Sequence, residues 1–164
     1  MMSVESLIEA ELVRPDWTHI MEANGPATNI PSALRELVAA NTPDEVRQAY
    51  WKLENHVVVQ GQLFEAAVYV VPVLLAALLD TNRPRFVRIG ILELLFQIIA
   101  GTSHEDEVRR GFADLGARCK RAAREGLWLL YREFFVGGLA GAKEIIQSID
   151  EDTSRLVFLE RHRV

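Results

Sequence analysis

Ile30-Pro31-Ser32-Ala33-Leu34-Arg35-Glu36-Leu37-Val38 and Val71-Pro72-Val73-Leu74-Leu75-Ala76-Ala77-Leu78-Leu79 decide how this chain is read. They match position for position at a shift of 41 residues. The same shift carries Pro43, Val46, Arg47, Ala49 and Leu53 onto Pro84, Val87, Arg88, Gly90 and Leu94. Two separate stretches agreeing on one shift mark an internal repeat, and the period falls in the roughly 40–47 residue range of paired-helix repeat units.

Each unit reads as helices. Thr42-Pro43-Asp44-Glu45 is a capping-box start: Thr42 can accept from the Glu45 N–H, and Pro43 stands where a missing N–H does no harm. Val46, Tyr50, Leu53 and Val57 then recur at helical spacing. Val87 to Ile99 is apolar nearly all round, which predicts a central helix. Pro72 inside a helical pattern predicts a kink or a division into two helices. Beyond residue 100 the pattern loosens. Ser103-His104-Glu105-Asp106 opens another helix, with Phe112, Leu115, Cys119 and Ala122 on its apolar side and Asp114, Arg118, Arg121 and Glu125 on its polar side. Gly126 and Gly137-Gly138 predict breaks, and two short helices near 139–149 and 152–161 close the chain. No strand-like alternation is visible. The expectation is one all-α domain over 1–164, a HEAT-like α-solenoid of about three helix pairs with no sheet. It has a cap over 1–29, two clear repeats over 30–100, and an irregular repeat with a cap over 101–164. One such helix pair cannot hide its apolar face alone, so pairs stack and leave a curved surface.

The bulk properties agree with a packed domain. The chain has 164 residues, 49% of them hydrophobic, enough for a continuous core. The single cysteine, Cys119, cannot form an internal disulfide. MMSVESLIEAEL carries acids and no basic start, which predicts no secretory signal and a cytoplasmic protein. The longest apolar run, Ala66 to Leu79, is too short for a membrane span and contains Pro72. The net charge of −5 is uneven: residues 1–82 are strongly acidic, 83–132 are basic, and the rest are mildly acidic. That asymmetry can steer a charged partner, or it can be no more than solvated helix faces.

Chemistry finds little support. His19, His56, His104 and His162 show no metal-binding spacing, and HExxH, GxGxxG, Walker A and GxSxG are all missing. No catalytic residue, metal or cofactor is expected. His56 reads as a helix-end group and Cys119 as a small buried hydrophobe. Trp17, Trp51 and Trp128 each read as inter-helix packing. Arg118-Cys119-Lys120-Arg121, with Arg124 and Arg109-Arg110, is the best nucleic-acid candidate. Interleaved acids make internal ion pairs the plainer reading, and a pI of about 5.4 argues against bulk DNA binding.

Two stretches carry a family resemblance. Asn24-Gly25-Pro26-Ala27-Thr28-Asn29-Ile30-Pro31 and Gln60-Gly61-Gln62-Leu63-Phe64-Glu65-Ala66-Ala67-Val68-Tyr69-Val70-Val71-Pro72 resemble small bacterial HEAT-repeat proteins, in which the second stretch reads like HQGTVYEATAYAVPFL. The likeness spans roughly residues 16–100. Val59 stands where that pattern has histidine, so any polar role of the histidine is lost here. The resemblance implies a non-enzymatic binding module, many of its kind being immunity-like proteins that neutralise a toxin. The expected partner is therefore a protein, and on the immunity reading a bacterial toxin domain acting in the cytosol. A nucleic-acid binder, a HEAT-like DNA-base glycosylase and a scaffold for an endogenous partner are the alternatives. The expected contacts are Arg35, Glu36, Glu65, Tyr69, Asp114, Arg118 and Arg121, sharing one concave surface on the inner helices, with Tyr69 the central anchor.

Overall fold

A computed structural model describes residues 1–163. Among them are ten helices: α1 (Val4–Val13), α2 (Ile30–Val38), α3 (Pro43–Val57), α4 (Ala66–Ala77), α5 (Arg85–Ile99), α6 (Glu105–Arg109), α7 (Leu115–Arg124), α8 (Leu127–Phe135), α9 (Ala142–Ile149) and α10 (Arg155–Arg161). None is long and apolar enough to cross a membrane. The caps follow the sequence signals. Thr42 Oγ1 accepts from the Glu45 N–H at 3.1 Å, while Glu45 reaches one residue further back, to the Asn41 N–H at 2.6 Å. His104, not Ser103, caps α6, accepting from the Asp106 N–H.

The helices pack in two rows. Contacts run from α1 to α4 to α7 in one, and from α3 to α5 to α9 in the other; α2 packs on α3, α4 and α5, and α7 bridges to α5 and α9. One continuous core fills the space between them, with Leu34, Leu37, Leu53, Leu74, Leu94 and Ile98 fully enclosed. At the α3–α5 crossing Gly90 is required by close approach: a Cβ there would lie 2.6 Å from Val46 Cγ1.

Two sequence expectations are corrected, the second of them in part. The chain is not free of strands. Met21–Glu22 (β1) pairs antiparallel with Gly25–Pro26 (β2), and Val58–Val59 (β3) pairs with Gln62–Leu63 (β4), which also pairs in parallel with Thr102–Ser103 (β5). Each strand is two residues long, too short to print an alternation. The β3–β4 turn is Gln60-Gly61, with both φ angles positive (50° and 79°), the primed geometry that suits a tight hairpin. These pieces are tied in series. The Ala23 N–H donates to the His56 carbonyl at 2.9 Å, just before β3 begins, and the Thr102 N–H donates to the Gly61 carbonyl at 3.0 Å.

Of the kink or division expected at Pro72, the division does not occur; α4 continues through it. A proline in a helix interior costs about 3 kcal/mol. Val70, Val71, Val73, Leu74 and Leu75 are all buried around it, and at about 1.5–3 kcal/mol each their burial outweighs that cost. The hairpins also explain the matched prolines. Hairpin loops 23–24 and 60–61 are 37 residues apart, whereas Pro31 and Pro72 are 41 apart. The four extra residues add about one turn before Pro72. Pro31 therefore sits in the first turn of α2, while its counterpart sits mid-helix.

Candidate functional site

Of the seven expected contact residues, four have partners within the chain and three belong to α7 or its N-terminal cap. Arg35, at the α1–α2 border, is a bidentate donor to Glu9, with Nε–O distances of 3.0 and 3.1 Å. That hydrogen bond holds the Glu9 carboxyl below its ordinary range. Glu36 accepts from Lys52 Nζ at 2.8 Å and lines a cleft of about 350 Å3 between α2 and α3, together with Glu22, Ser32 and His56. Glu65 is buried. Its Oε1 accepts from the Met21 N–H at 3.1 Å and from Arg110 at 3.3 Å, so it ties the first hairpin to α6. Tyr69 is half-buried, edge-on to Trp17 with centroids 6.3 Å apart. These four residues are engaged within the chain.

The remaining three lie along α7. Leu115, Cys119 and Ala123 recur at i, i+4 and i+8 and are buried, fixing the helix on α4. Phe112 falls outside the helix, in the turn after Gly111, whose φ of 92° suits glycine. Half-buried Arg118 and Lys120 flank the buried stripe on either side, and exposed Arg121 lies opposite it. Arg109 pairs with Glu105 and Asp106, Arg110 with Glu107 and Glu65, and Arg124 with Glu151 and the Ile149 carbonyl. Internal pairing therefore holds for α6 and Arg124. Among the described residues no carboxylate lies within 4 Å of Arg118, Lys120 or Arg121. Arg118 rests over the Phe112 ring at 5.8 Å. Lys120, Arg121 and Arg124, with Asp114 and the β5 segment, line a groove of about 420 Å3.

On α8, the next helix in the chain, the structure departs from the sequence reading. Of the three tryptophans only Trp17 is packed inside, its Nε1 donating to the Leu12 carbonyl at 2.7 Å. Trp51 and Trp128 are 51% and 65% exposed, which corrects the expectation of inter-helix packing for both. Trp128 opens α8, and its neighbours on the helix, Leu130 and Tyr131, take the buried positions instead. Arg155 lies 5.3 Å over the Trp128 ring, and Asp150 holds Arg155 at 3.4 Å and accepts from the Tyr131 hydroxyl at 2.6 Å. The 149–155 segment that contacts Arg124 thus also supports Trp128. Sequence gave no signal for this, since it depends on how α10 folds back.

His56 lies in the last turn of α3, as expected of a helix-end group, and its Nδ1 lies 2.7 Å from Glu22 Oε2. Cys119 is fully buried, and burial pushes its thiol up to about 12. Among the described residues no three of His, Cys, Asp and Glu gather as metal ligands would. Comparison of the chain with family models, with curated proteins and with solved structures found no match.

Proposed function

We propose that this chain is a non-enzymatic protein-binding module, a HEAT-like α-solenoid of the immunity type, that binds and blocks a bacterial toxin acting in the cytosol. One observation carries the binding reading: among the described residues Arg118, Lys120 and Arg121 on α7 have no carboxylate partner, and Trp128 on α8, the next helix in the chain, is exposed. Arginine and tryptophan dominate the energetics of protein interfaces. Unpaired surface cations accelerate encounter with an acidic partner. Both groups sit on packed helices, so little ordering cost attends binding. The immunity assignment rests on the family resemblance of residues 16–100, and a scaffold for an endogenous partner differs from it only in the partner's identity. A toxin-like reading frame beside the gene favours the first.

The test is capture of the partner from the native cell and a binding titration. Arg121→Glu and Trp128→Ala are expected to weaken binding tenfold or more, about 1.4 kcal/mol each, whereas Arg47→Glu on α3 leaves it unchanged. Loss in the Arg47→Glu variant alone moves the interface to the other row of helices. The same cations also favour nucleic acid as a second reading. Tight, sequence-independent binding to duplex DNA with a steep salt dependence is the outcome that selects it.

A further inference from the structure

The row formed by α3, α5 and α9 carries a second, different surface. Its groove, of about 530 Å3, runs between α5 and the segment entering α9. Ile89, Leu92, Phe96 and Leu139 form its apolar part, and Glu93 and Glu144 its acidic part. Ile89 is 39% exposed although it belongs to the central helix. Arg85 also lines the groove, but its guanidinium is committed to the Gly137 and Gly138 carbonyls at 2.9 and 3.0 Å. On the other side of Glu93 lie Tyr50, Glu54 and the exposed Trp51, which meets Tyr50 edge-on at 5.6 Å. Glu54 Oε2 is buried with no hydrogen-bond partner. Among the described residues no cation lies within 4 Å of Glu54, Glu93 or Glu144. Burial first, and then the charges of Glu54 and Glu93, push the Tyr50 hydroxyl up to about 12.

A buried carboxylate oxygen without a donor is costly. Leu92 and Leu139 form the buried floor of the groove, while Ile89 and half-buried Phe96 offer accessible apolar surface rimmed by like charges, an arrangement that marks a place where something docks. We infer that this face receives a basic amphipathic segment of a protein partner, whose apolar side chains rest on Ile89 and Phe96 while its lysines or arginines meet Glu93, Glu144 and Glu54. Charge complementarity selects this occupant. The groove is too acidic for nucleic acid and too apolar for a bare cation. Unlike the α7 surface it calls for a partner of positive sign, so its fate is independent of the function proposed above.

The experiment is an NMR titration of the full chain with three probes: a Leu/Lys amphipathic peptide, its Leu/Glu counterpart, and oligolysine. The expected result is saturable binding of the Leu/Lys peptide alone, with shifts confined to α3, α5 and α9. Glu93→Lys combined with Glu144→Lys is expected to weaken it about tenfold or more, at unchanged melting temperature, since both side chains are exposed. Glu54→Gln is expected to weaken it less. Equal binding of oligolysine, binding of the Leu/Glu peptide, shifts centred on α7, or no loss in the double variant overturns the inference. So does sedimentation showing that a second copy of this chain, through its α7 cations, already occupies the groove.

Discussion

Arg83 has a side chain only 6% exposed, set among the ends of three helices. It donates to the Ala77 carbonyl at 3.0 Å and the Val38 carbonyl at 2.9 Å, which close α4 and α2, and to Glu5 of α1 at 2.8 Å. Arg132 donates to the Leu78 carbonyl and Arg124 to the Ile149 carbonyl in the same manner. Guanidinium groups here satisfy orphan carbonyls that helix ends otherwise leave to glycine caps or water. Arg83→Met should cost about 2–4 kcal/mol in a urea unfolding measurement, because two buried carbonyls lose their donor. Glu5→Gln should cost well under about 1 kcal/mol, since Glu5 is 65% exposed. Cys119 makes a second prediction. Its thiol is raised by burial from 9.0 to about 12 and Tyr50 from 10.0 to about 12. The folded chain thus holds protons that the unfolded chain gives up first. That contribution is complete below about pH 9 and is lost as pH climbs toward the folded values. Urea midpoints should fall steadily above about pH 9, with the thiol alone accounting for on the order of 2 kcal/mol by about pH 11. Cys119→Ala should flatten that decline; an unchanged slope contradicts a buried neutral thiol. The burial of Cys119 was legible from its helical spacing with Leu115. The roles of Arg83 and Glu65 were not, because their partners lie 45 and 44 residues away.

At the level of elements, what could be read was what leaves a local periodic trace. The cap at Thr42, the breaks at Gly126 and Gly137-Gly138 and the stripe of α7 all do so. The two-residue strands do not, and neither does an uninterrupted α4, whose continuity is decided by tertiary burial against a local penalty. Gly90 lies between the two cases. Its match to Ala49 across the repeat gave a small residue, but only the crossing with α3 explains why it is the smallest. Gly90→Ala should destabilise by about 1–3 kcal/mol through overpacking, although alanine is the better helix former. Pairing it with Val46→Ala, which removes the opposing Cγ1, should recover part of the loss. A double-mutant cycle that gives strict additivity would show that the two residues do not meet.

At the scale of the molecule, Leu34 and Leu75, which the 41-residue shift matches in sequence, are both buried, at 0% and 7% exposure. Leu34→Asp or Leu75→Asp should each abolish cooperative thermal unfolding. An unpaired buried carboxylate costs several kcal/mol, against a total stability of roughly 5–15 kcal/mol. A wild-type melting curve in either variant would refute the common core. The faces differ in charge, with open cations on α7 and open acids along α3, α5 and α9, although Glu93 belongs to the basic stretch 83–132. The sign of each segment was legible, but which charges stay unpaired was not, since that depends on contacts such as Arg110 with Glu65. The chain of hairpins has a mechanical consequence. Ala23 to His56, and Thr102 to Gly61, are backbone ties with little stretch in them, while packed helices meet through side chains that slide. A seam of that kind behaves like a ligament along one side of a spine. The molecule should flex by opening and closing the edge away from the hairpins, and a partner that clamps that edge would stiffen the whole chain.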